Sequence, residues 1–208
     1  MTAGRRRTLV IGVTGPIGCG KSTVARWLRD RGAVIVDADA IARDVTSPGQ
    51  PALESVLARF GGAFRQPSGS LDRAALGRLV FSDAAALRDL EAIVHPAVRP
   101  RIEAAVAAGR SAGAPAVVVE AIKLVEAGYA EACDEVWLVT CEPEVQRRRL
   151  VGRGLVAADA DQRIAAQGDL TARLLPRATR VIDTSGDTAA ARSRVTEAWE
   201  AAFERARA

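Results

Sequence analysis

The chain contains no asparagine, and it has only two lysines, one histidine and three cysteines. An odd number of cysteines without regular spacing argues against a disulfide framework or a zinc site, and it fits a reducing compartment. No apolar run is long enough to span a bilayer, so we expect a cytoplasmic protein without membrane contact. The formal net charge of +4 permits binding of phosphorylated small molecules but does not require nucleic acid.

The composition is that of an ordinary globular domain, because 49% of the 208 residues are hydrophobic and 26% are charged. Short β-rich runs alternate with longer helical stretches, which predicts an α/β fold with a parallel sheet flanked by helices. Several of the runs are continuous Val, Ile and Leu, as in strands buried on both faces. The predicted strands are Leu9–Val13, Val34–Asp37, Ala116–Glu120, Glu135–Thr140 and Arg180–Ile182.

The segment between the second and third predicted strands is too long for a simple crossover, and it contains turn signals and helical patterns. We interpret residues 46–113 as an inserted helical subdomain within a single domain of residues 1–208. The nucleotide-binding core then comprises about residues 8–45, 114–142 and 171–208. Asp72 is the expected N-cap of one helix in the insert. His95-Pro96 is expected to close one helix and start another.

Residues 15–22 read Gly-Pro-Ile-Gly-Cys-Gly-Lys-Ser, a full match to the phosphate-binding pattern G-x-x-x-x-G-K-[ST]. The motif follows a predicted strand and opens a predicted helix, which is the context that the pattern requires. Glycines let the backbone wrap around a phosphate, and the helix N-terminus adds positive potential. Lys21 is expected to reach the β- and γ-phosphates, and the Ser22 hydroxyl to coordinate Mg²⁺. The predicted ATP contacts in this loop are Gly15, Pro16, Ile17, Gly18, Cys19, Gly20, Lys21, Ser22 and Thr23.

The motif indicates nucleotide binding, and proteins that carry it include GTPases, motor ATPases and small-molecule kinases. A chain without asparagine cannot contain the Asn-Lys-x-Asp motif with which GTPases bind guanine. ATP is therefore the expected nucleotide.

Carboxylates follow two of the predicted strands, at the sheet edge where ligands bind in open α/β sheets. Asp39, just after the second strand, is the candidate to orient an acceptor hydroxyl and take its proton. Asp37 could assist it or cap the next helix. Glu120, at the end of the third strand, could hold Mg²⁺ through water.

An arginine-rich segment follows Pro143, which fits the first turn of a helix. In a kinase such a helix serves as a lid that closes over the migrating phosphoryl group. We expect a lid of about residues 143–170, in which Arg149 and Arg153 offset the charge of that group. Arg148 is expected to be solvated.

Several segments together resemble the dephospho-coenzyme A kinase family, in order and spacing from about Leu9 to Gly186. Besides the phosphate loop, the chain shares the family's Asp-Ala-Asp-x-Ile-Ala-Arg, Leu-Asp-Arg-x-x-Leu and His-Pro patterns, which are more specific than the loop. The matching segments are Asp37–Arg43, Phe60-Gly61, Leu71–Phe81, His95-Pro96, Pro143–Arg149 and Arg163–Gln167.

The resemblance implies a P-loop kinase fold and transfer of the ATP γ-phosphate to the ribose 3′-hydroxyl of dephospho-coenzyme A. In this interpretation Asp39 is the base and the inserted subdomain holds the pantetheine end of the acceptor. We expect a monomer that could self-associate weakly. The residues that would bind the acceptor are Asp39, Arg43, Phe60, Arg73, His95 and Glu126. Those that would pack on the adenine of ATP are Thr184, Ser185 and Gly186.

The chain departs from the family pattern at three places. Lys123 lies in a segment that usually reads Pro-Leu-Leu-x-Glu, of which Glu126 is kept. Cys19 replaces the usual loop serine, and Asp183–Gly186 lacks the usual asparagine before glycine. The last departure affects the expected adenine contacts more than the chemistry.

Two other functions stay open at this point. One is another small-molecule kinase, acting on a nucleoside, a shikimate-like acid or a sugar acid. The other is a regulatory ATP-binding switch, which would hydrolyse ATP slowly whatever acceptor is added. The long insert beside Asp37–Arg43 favours a bulky acceptor over both.

Overall fold

The computed structural model describes residues 7–206, and its centre is a five-stranded sheet in which every strand pairs in parallel. The strand order is β2-β3-β1-β4-β5. This confirms the predicted α/β class and the five-stranded parallel sheet. The strands are β1 (Leu9–Thr14), β2 (Val34–Asp37), β3 (Ala116–Glu120), β4 (Glu135–Thr140) and β5 (Arg180–Asp183).

Helices connect the strands, and the helices Lys21–Arg29, Leu170–Leu174 and Thr188–Arg205 contact the sheet. Short 3₁₀ turns occur at Gly62–Phe64, Ala130–Ala132 and Leu175–Arg177. The α-helices are α1 (Lys21–Arg29), α2 (Ala38–Val45), α3 (Pro51–Phe60), α4 (Arg73–Ser82), α5 (Ala84–Ser111), α6 (Pro143–Gly152), α7 (Ala157–Gln167), α8 (Leu170–Leu174) and α9 (Thr188–Arg205). Within residues 7–206 we find no helix whose length and hydropathy would let it cross a membrane.

The middle strand, β1, is buried along its whole length, which explains why it reads as an apolar run. It pairs with β3 on one side and β4 on the other. The chain leaves β1, crosses over to β2, and later places β4 on the opposite side of β1. The topological switch of the sheet therefore falls at β1, and ligands of open α/β sheets bind at the carboxyl ends of strands at such a switch.

The described chain divides into two compact units, and the second of them consists of Ala38–Ala104. This second unit is helical and has its own core, formed around buried Leu53, Val56 and Leu76. Its α4 begins as predicted, because the Asp72 carboxylate accepts a hydrogen bond from the Ala75 N–H at 2.8 Å. The first unit contains the sheet and its flanking helices.

One prediction for this region is wrong: no helix boundary occurs at His95-Pro96. Helix α5 runs without interruption through Pro96 and Pro100. Each proline removes a backbone hydrogen bond and costs roughly 3 kcal/mol in a helix interior. Val98 and Ile102 lie on either side of Pro100 and are buried, so packing of this helix offsets that cost.

A buried ion pair joins β4 and β5, the last two strands at one edge of the sheet. The Glu135 carboxylate, 3% exposed as a residue, accepts hydrogen bonds from Arg180 Nε at 2.6 Å and Arg180 Nη2 at 2.9 Å. The Trp137 indole N–H donates to the same carboxylate at 2.7 Å. Burial by itself would raise the pKa of Glu135, but these donors and the Arg180 charge outweigh it and lower the pKa.

We expect Glu135→Gln to lower the free energy of unfolding by about 3 kcal/mol, because it leaves the Arg180 guanidinium largely buried without its counter-charge. Urea denaturation at neutral pH measures this difference. The carboxylate has a lowered pKa in the folded state, so it stabilises the fold above the pKa of unfolded glutamate. That stabilisation is lost as the pH falls through the folded pKa, and the two proteins should then converge.

The matched control is Asp161→Asn, which removes a carboxylate from the exposed ion pair between Asp161 and Arg147. This variant should unfold at the same urea concentration as the parent protein. An equal loss of stability in both variants would show that the buried Glu135 pair stabilises the fold no more than an exposed ion pair.

Candidate active site

The phosphate loop connects β1 to α1, and Gly15 lets it pass against the backbone of β4. A Cβ atom at Gly15 would lie 2.1 Å from the Val139 carbonyl oxygen, closer than any side chain can approach. The φ angle of Gly15 is +141°, which also favours glycine. Both constraints require glycine at the point where the chain leaves the central strand.

The loop then turns into α1 in the conformation that anion-binding loops adopt. Gly18 and Gly20 have φ angles of +82° and +93°, in the region that L side chains rarely enter. Gly20 is the N-cap of α1 and brings no capping side chain to the first turn. The helix N-terminus carries positive potential, so the loop is built to receive a phosphate group.

Lys21 is buried in the first turn of α1, with 7% of the residue exposed. Its ammonium group donates to the carbonyl oxygens of Gly15, at 2.9 Å, and Pro16, at 3.1 Å. The Lys21 charge is thus held against the backbone of the loop. The role of Lys21 toward the β- and γ-phosphates stays a prediction.

Two glutamine side chains form hydrogen bonds with the backbone of Ile17. The Gln167 Oε1 accepts from the Ile17 N–H at 2.9 Å, and the Gln146 Nε2 donates to the Ile17 carbonyl at 2.7 Å. Gln146 belongs to α6 and Gln167 ends α7, the two helices of the predicted lid. Sequence reasoning placed both glutamines in family motifs but did not predict this contact.

Thr184 lies just after β5 and links three parts of the site. Its buried hydroxyl lies 2.7 Å from the Cys19 carbonyl, to which it donates, and 3.1 Å from the Thr140 carbonyl. Arg149 donates to the Thr184 hydroxyl at 2.9 Å and to its carbonyl at 2.7 Å. The Thr184 hydroxyl therefore ties the loop, the end of β4 and a lid arginine together.

The Arg149 guanidinium sits in a crowded positive environment. Burial lowers its pKa, and the nearby charges of Arg148 and Arg153 lower it further, against a smaller opposing effect of Asp183. Neighbouring cations that repel one another favour the binding of an anion. Arg153, at the C-terminal end of α6, is exposed.

The other residues predicted to contact adenine lie in the turn after β5. Ser185 Oγ donates to Asp183 Oδ1 at 2.6 Å and accepts from the Glu142 N–H at 2.8 Å. The hydrogen bond from Ser185 is the main reason that the pKa of Asp183 is lowered. Gly186 is exposed.

Two carboxylates lie side by side at the carboxyl edge of the sheet. Asp37 ends β2 and is the register partner of Glu120, which ends β3 and is also paired with Val13 of β1. Ser22, the second residue of α1, is exposed. Asp37, Glu120 and Ser22 offer the hard oxygen donors that Mg²⁺ prefers.

The expectation that this chain has no disulfide is wrong. Cys19 in the phosphate loop is bonded to Cys141, directly after β4, with a Cα–Cα distance of 5.1 Å. The two residues are 122 positions apart, and cysteine count and spacing carried no sign of the pairing. The sheet causes it, because β1 and β4 are parallel neighbours whose carboxyl ends lie together.

The second unit contains most of the residues predicted to bind an acceptor. Asp39 is exposed in the first turn of α2, and Arg43 is exposed near the end of that helix. Arg73 Nη2 donates to the Arg43 carbonyl at 2.6 Å, and burial and the Arg43 charge lower the pKa of Arg73. The half-buried His95 lies on α5, and half-buried Phe60 packs on the core of this unit.

Glu126, the remaining predicted acceptor residue, belongs to the first unit. It is exposed in the turn segment that follows β3. Lys123, at which the chain departs from the family pattern, is half-buried in the same segment.

The family model and the similar curated proteins agree on one family. A model of the dephospho-CoA kinase family matches residues 9–190. The dephospho-CoA kinase of Symbiobacterium thermophilum is 47% identical over 194 residues, which cover 93% of this chain and 81% of that protein. The dephospho-CoA kinase of Geobacter sulfurreducens is 43% identical over 195 residues, covering 93% of this chain and 98% of its own.

Solved structures give the same result for the fold. A Thermus thermophilus protein superposes with a TM-score of 0.79 at 35% identity, over 94% of this chain and 97% of its own. The dephospho-CoA kinase of Campylobacter jejuni has a TM-score of 0.66 at 25% identity, over 92% and 95% of the two chains. A shikimate kinase from Acinetobacter baumannii, at 16% identity and a TM-score of 0.53 over 96% of each chain, shares the fold.

We expect Thr184→Val to weaken ATP binding several-fold and to lower the free energy of unfolding by roughly 1–3 kcal/mol. Valine keeps the shape of the side chain, but it removes the donor to the Cys19 carbonyl and the acceptor for Arg149. Titration calorimetry with ATP and urea denaturation measure the two effects. Thr184→Ser keeps the hydroxyl and should retain most of both properties, so equal losses in the two variants would assign the effect to packing.

Proposed function

This chain belongs to the dephospho-CoA kinase family, and from that premise we propose that it transfers the γ-phosphate of ATP to the ribose 3′-hydroxyl of dephospho-coenzyme A. The products are coenzyme A and ADP. The observation that carries the proposal is the family match over residues 9–190, which includes the phosphate loop and the Asp37–Arg43 segment.

The first unit supplies the groups that would hold the phosphates of ATP. Backbone N–H groups of the loop and of the first turn of α1 would bind the phosphate oxygens. Pro16 has no N–H to offer, and those of Ile17, Cys19 and Thr23 donate to acceptors within the protein. Lys21 moves its ammonium group from the Gly15 and Pro16 carbonyls to the β- and γ-phosphates. The segment 184–186 borders the adenine, where Ser185 and Gly186 are better placed for contact than the buried Thr184 side chain.

Asp37, Glu120 and Ser22 fit a magnesium site of the usual kind, in which the cation keeps water ligands and shares the nucleotide phosphates. Ser22 would bind the cation directly and Glu120 through water. Bound Mg²⁺ would neutralise phosphate charge and orient the transferring group.

Asp39 is the base in this proposal. Its carboxylate accepts a hydrogen bond from the 3′-hydroxyl and takes the proton as the oxygen attacks the γ-phosphorus. The new P–O bond forms while the bond between the γ-phosphorus and the bridging oxygen breaks, and ADP leaves. The in-line attack requires a fixed hydroxyl, so orientation is as important as basicity.

The cations of the second unit suit an acceptor that carries phosphate groups. Burial and the nearby Arg43 charge lower the pKa of Arg73, against an opposing effect of Asp44, so two guanidinium groups lie near each other here. An anionic acceptor would pair with them. Dephospho-coenzyme A carries such charge in its diphosphate. In this proposal Arg43, Arg73 and His95 bind the acceptor, Phe60 and the inserted segment of about residues 46–113 line its apolar portion, and Glu126 contributes a polar contact.

Residues 143–170 act as the lid. Arg149 and Arg153 offset the charge that spreads over the phosphoryl oxygens during transfer. Closure would exclude water, which would otherwise accept the phosphoryl group. The hydrogen bonds of Gln146 and Gln167 to Ile17 support this role, because they connect both lid helices to the phosphate loop. We further propose a cytoplasmic monomer that acts on this small molecule and binds neither nucleic acid nor membrane.

The decisive measurement is ADP release from Mg·ATP with and without dephospho-coenzyme A, with the product identified by mass. We expect release that depends on the acceptor and a product heavier by one phosphoryl group. A panel of shikimate, nucleosides and sugar acids serves as the control and should give no stimulation. Stimulation by a panel member instead would keep the kinase and reassign its acceptor, and ATP hydrolysis that no acceptor accelerates would contradict the proposal.

We expect Asp39→Asn to lower kcat by about 10²–10⁴-fold, the usual contribution of a general base, with ATP affinity unchanged. Steady-state kinetics and ATP titration separate the two properties. Asp30→Asn is the matched control, because Asp30 is an exposed carboxylate at the end of α1 and belongs to no proposed binding group. Near-normal turnover of the Asp39 variant would exclude Asp39 as the base.

A further inference from the structure

The Cys19–Cys141 bond lies at the phosphate loop, yet the proposed reaction does not use it. Cys19 is completely buried and belongs to the apolar core beneath the loop, and the partly buried Cys141 packs against the same core. The sulfur atoms therefore lie below the loop in the core, whereas backbone N–H groups form the phosphate-binding side. The third cysteine, Cys133, is a free thiol.

We propose that Cys19 and Cys141 are an oxidation site, a thiol pair that exchanges with low-molecular-weight disulfides such as oxidised glutathione. In its oxidised form the pair is a disulfide that crosslinks the phosphate loop to the end of β4. This inference concerns the stability of the loop and does not depend on which acceptor the protein phosphorylates.

The burial of the two sulfurs sets the order of the exchange. The thiolate of Cys141, the more accessible residue, attacks one sulfur of the small disulfide and releases one thiolate. The thiolate of Cys19 then attacks Cys141 Sγ in this mixed disulfide and expels the second small thiolate. The protein loses two protons and two electrons, and one small disulfide becomes two thiols.

Cys133 does not take part in this exchange. Burial, helped by the Asp134 charge, raises the pKa of its thiol to about 12, so the reactive thiolate is scarce at neutral pH. Its side chain also lies against β1, because a Cβ atom at Gly12 would be 3.0 Å from the Cys133 sulfur.

The crosslink supports the phosphate-binding shape of the loop and does not oppose it. With the bond formed, Gly18 and Gly20 hold their left-handed conformations, Lys21 spans the Gly15 and Pro16 carbonyls, and Thr184 donates to Cys19. A bond between residues 122 positions apart removes much of the freedom of the unfolded chain. Oxidation should thus stabilise the fold and leave nucleotide binding intact.

The test uses the full chain, equilibrated in buffers with different ratios of reduced to oxidised glutathione. Thiol titration should count three free thiols in the reduced protein and one in the oxidised protein, and peptide mass mapping should join Cys19 to Cys141. Calorimetry should show a Tm higher by about 5–10 °C in the oxidised protein. The affinity for ATP should stay within about threefold between the two forms, since the crosslink retains the loop conformation.

Two variants complete the test. Cys141→Ser should remove the Tm difference between the two buffers, whereas Cys133→Ser should preserve it. A stable glutathione adduct at Cys141, a different pairing in the mass map, or an unchanged or lower Tm after oxidation would overturn the proposal. ATP binding that is lost on oxidation would also overturn it, because the bond would then distort the loop. Mass mapping of the unmodified chain gives this answer even if a variant folds poorly.

Discussion

The close passage of the phosphate loop over β4 is the contact on which the site depends. At Gly15 the chain runs so near the Val139 carbonyl that no side chain fits, and this proximity directs the loop across the carboxyl edge of the sheet. The loop then enters α1 with its N-terminus at the sheet edge where Asp37 and Glu120 end their strands. A parallel sheet makes this possible, because all five strands deliver their carboxyl ends to the same edge.

The loop is held by contacts that come from distant parts of the chain. Gln146 and Gln167 bond the peptide groups of Ile17, the Thr184 hydroxyl bonds the Cys19 carbonyl, and Cys141 is linked to Cys19 itself. The hydrogen bonds hold backbone groups of the loop in fixed directions, and the disulfide links the Cys19 side chain to the residue that follows β4. A loop that is shaped before the nucleotide arrives loses less conformational freedom on binding. Loop and lid helices thus form one connected structure within the first unit.

Much of the fold was predictable because its signals are local. All five strands begin at the predicted residue, and none ends more than one residue from its predicted end. The phosphate loop was predictable because its glycine spacing and the following Lys21-Ser22 are required by backbone geometry and phosphate chemistry. The predicted helix boundary at His95-Pro96 was wrong because a non-local effect decided it. Burial of Val98 and Ile102 along the same helix outweighed the local preference of proline.

The amino-acid sequence by itself determined the strands, the loop, the family and the candidate base Asp39, because each rests on neighbouring residues or fixed spacing. The roles of the site residues, Asp39 included, stay predictions. Only the tertiary structure decided the Cys19–Cys141 bond, the hydrogen bonds of Gln146 and Gln167 to Ile17, and the hydrogen bonds of Thr184. The contacts to Ile17 and Cys19 join residues that are more than a hundred positions apart, and the strand order, which places β4 beside β1, brings Cys19 and Cys141 within bonding distance.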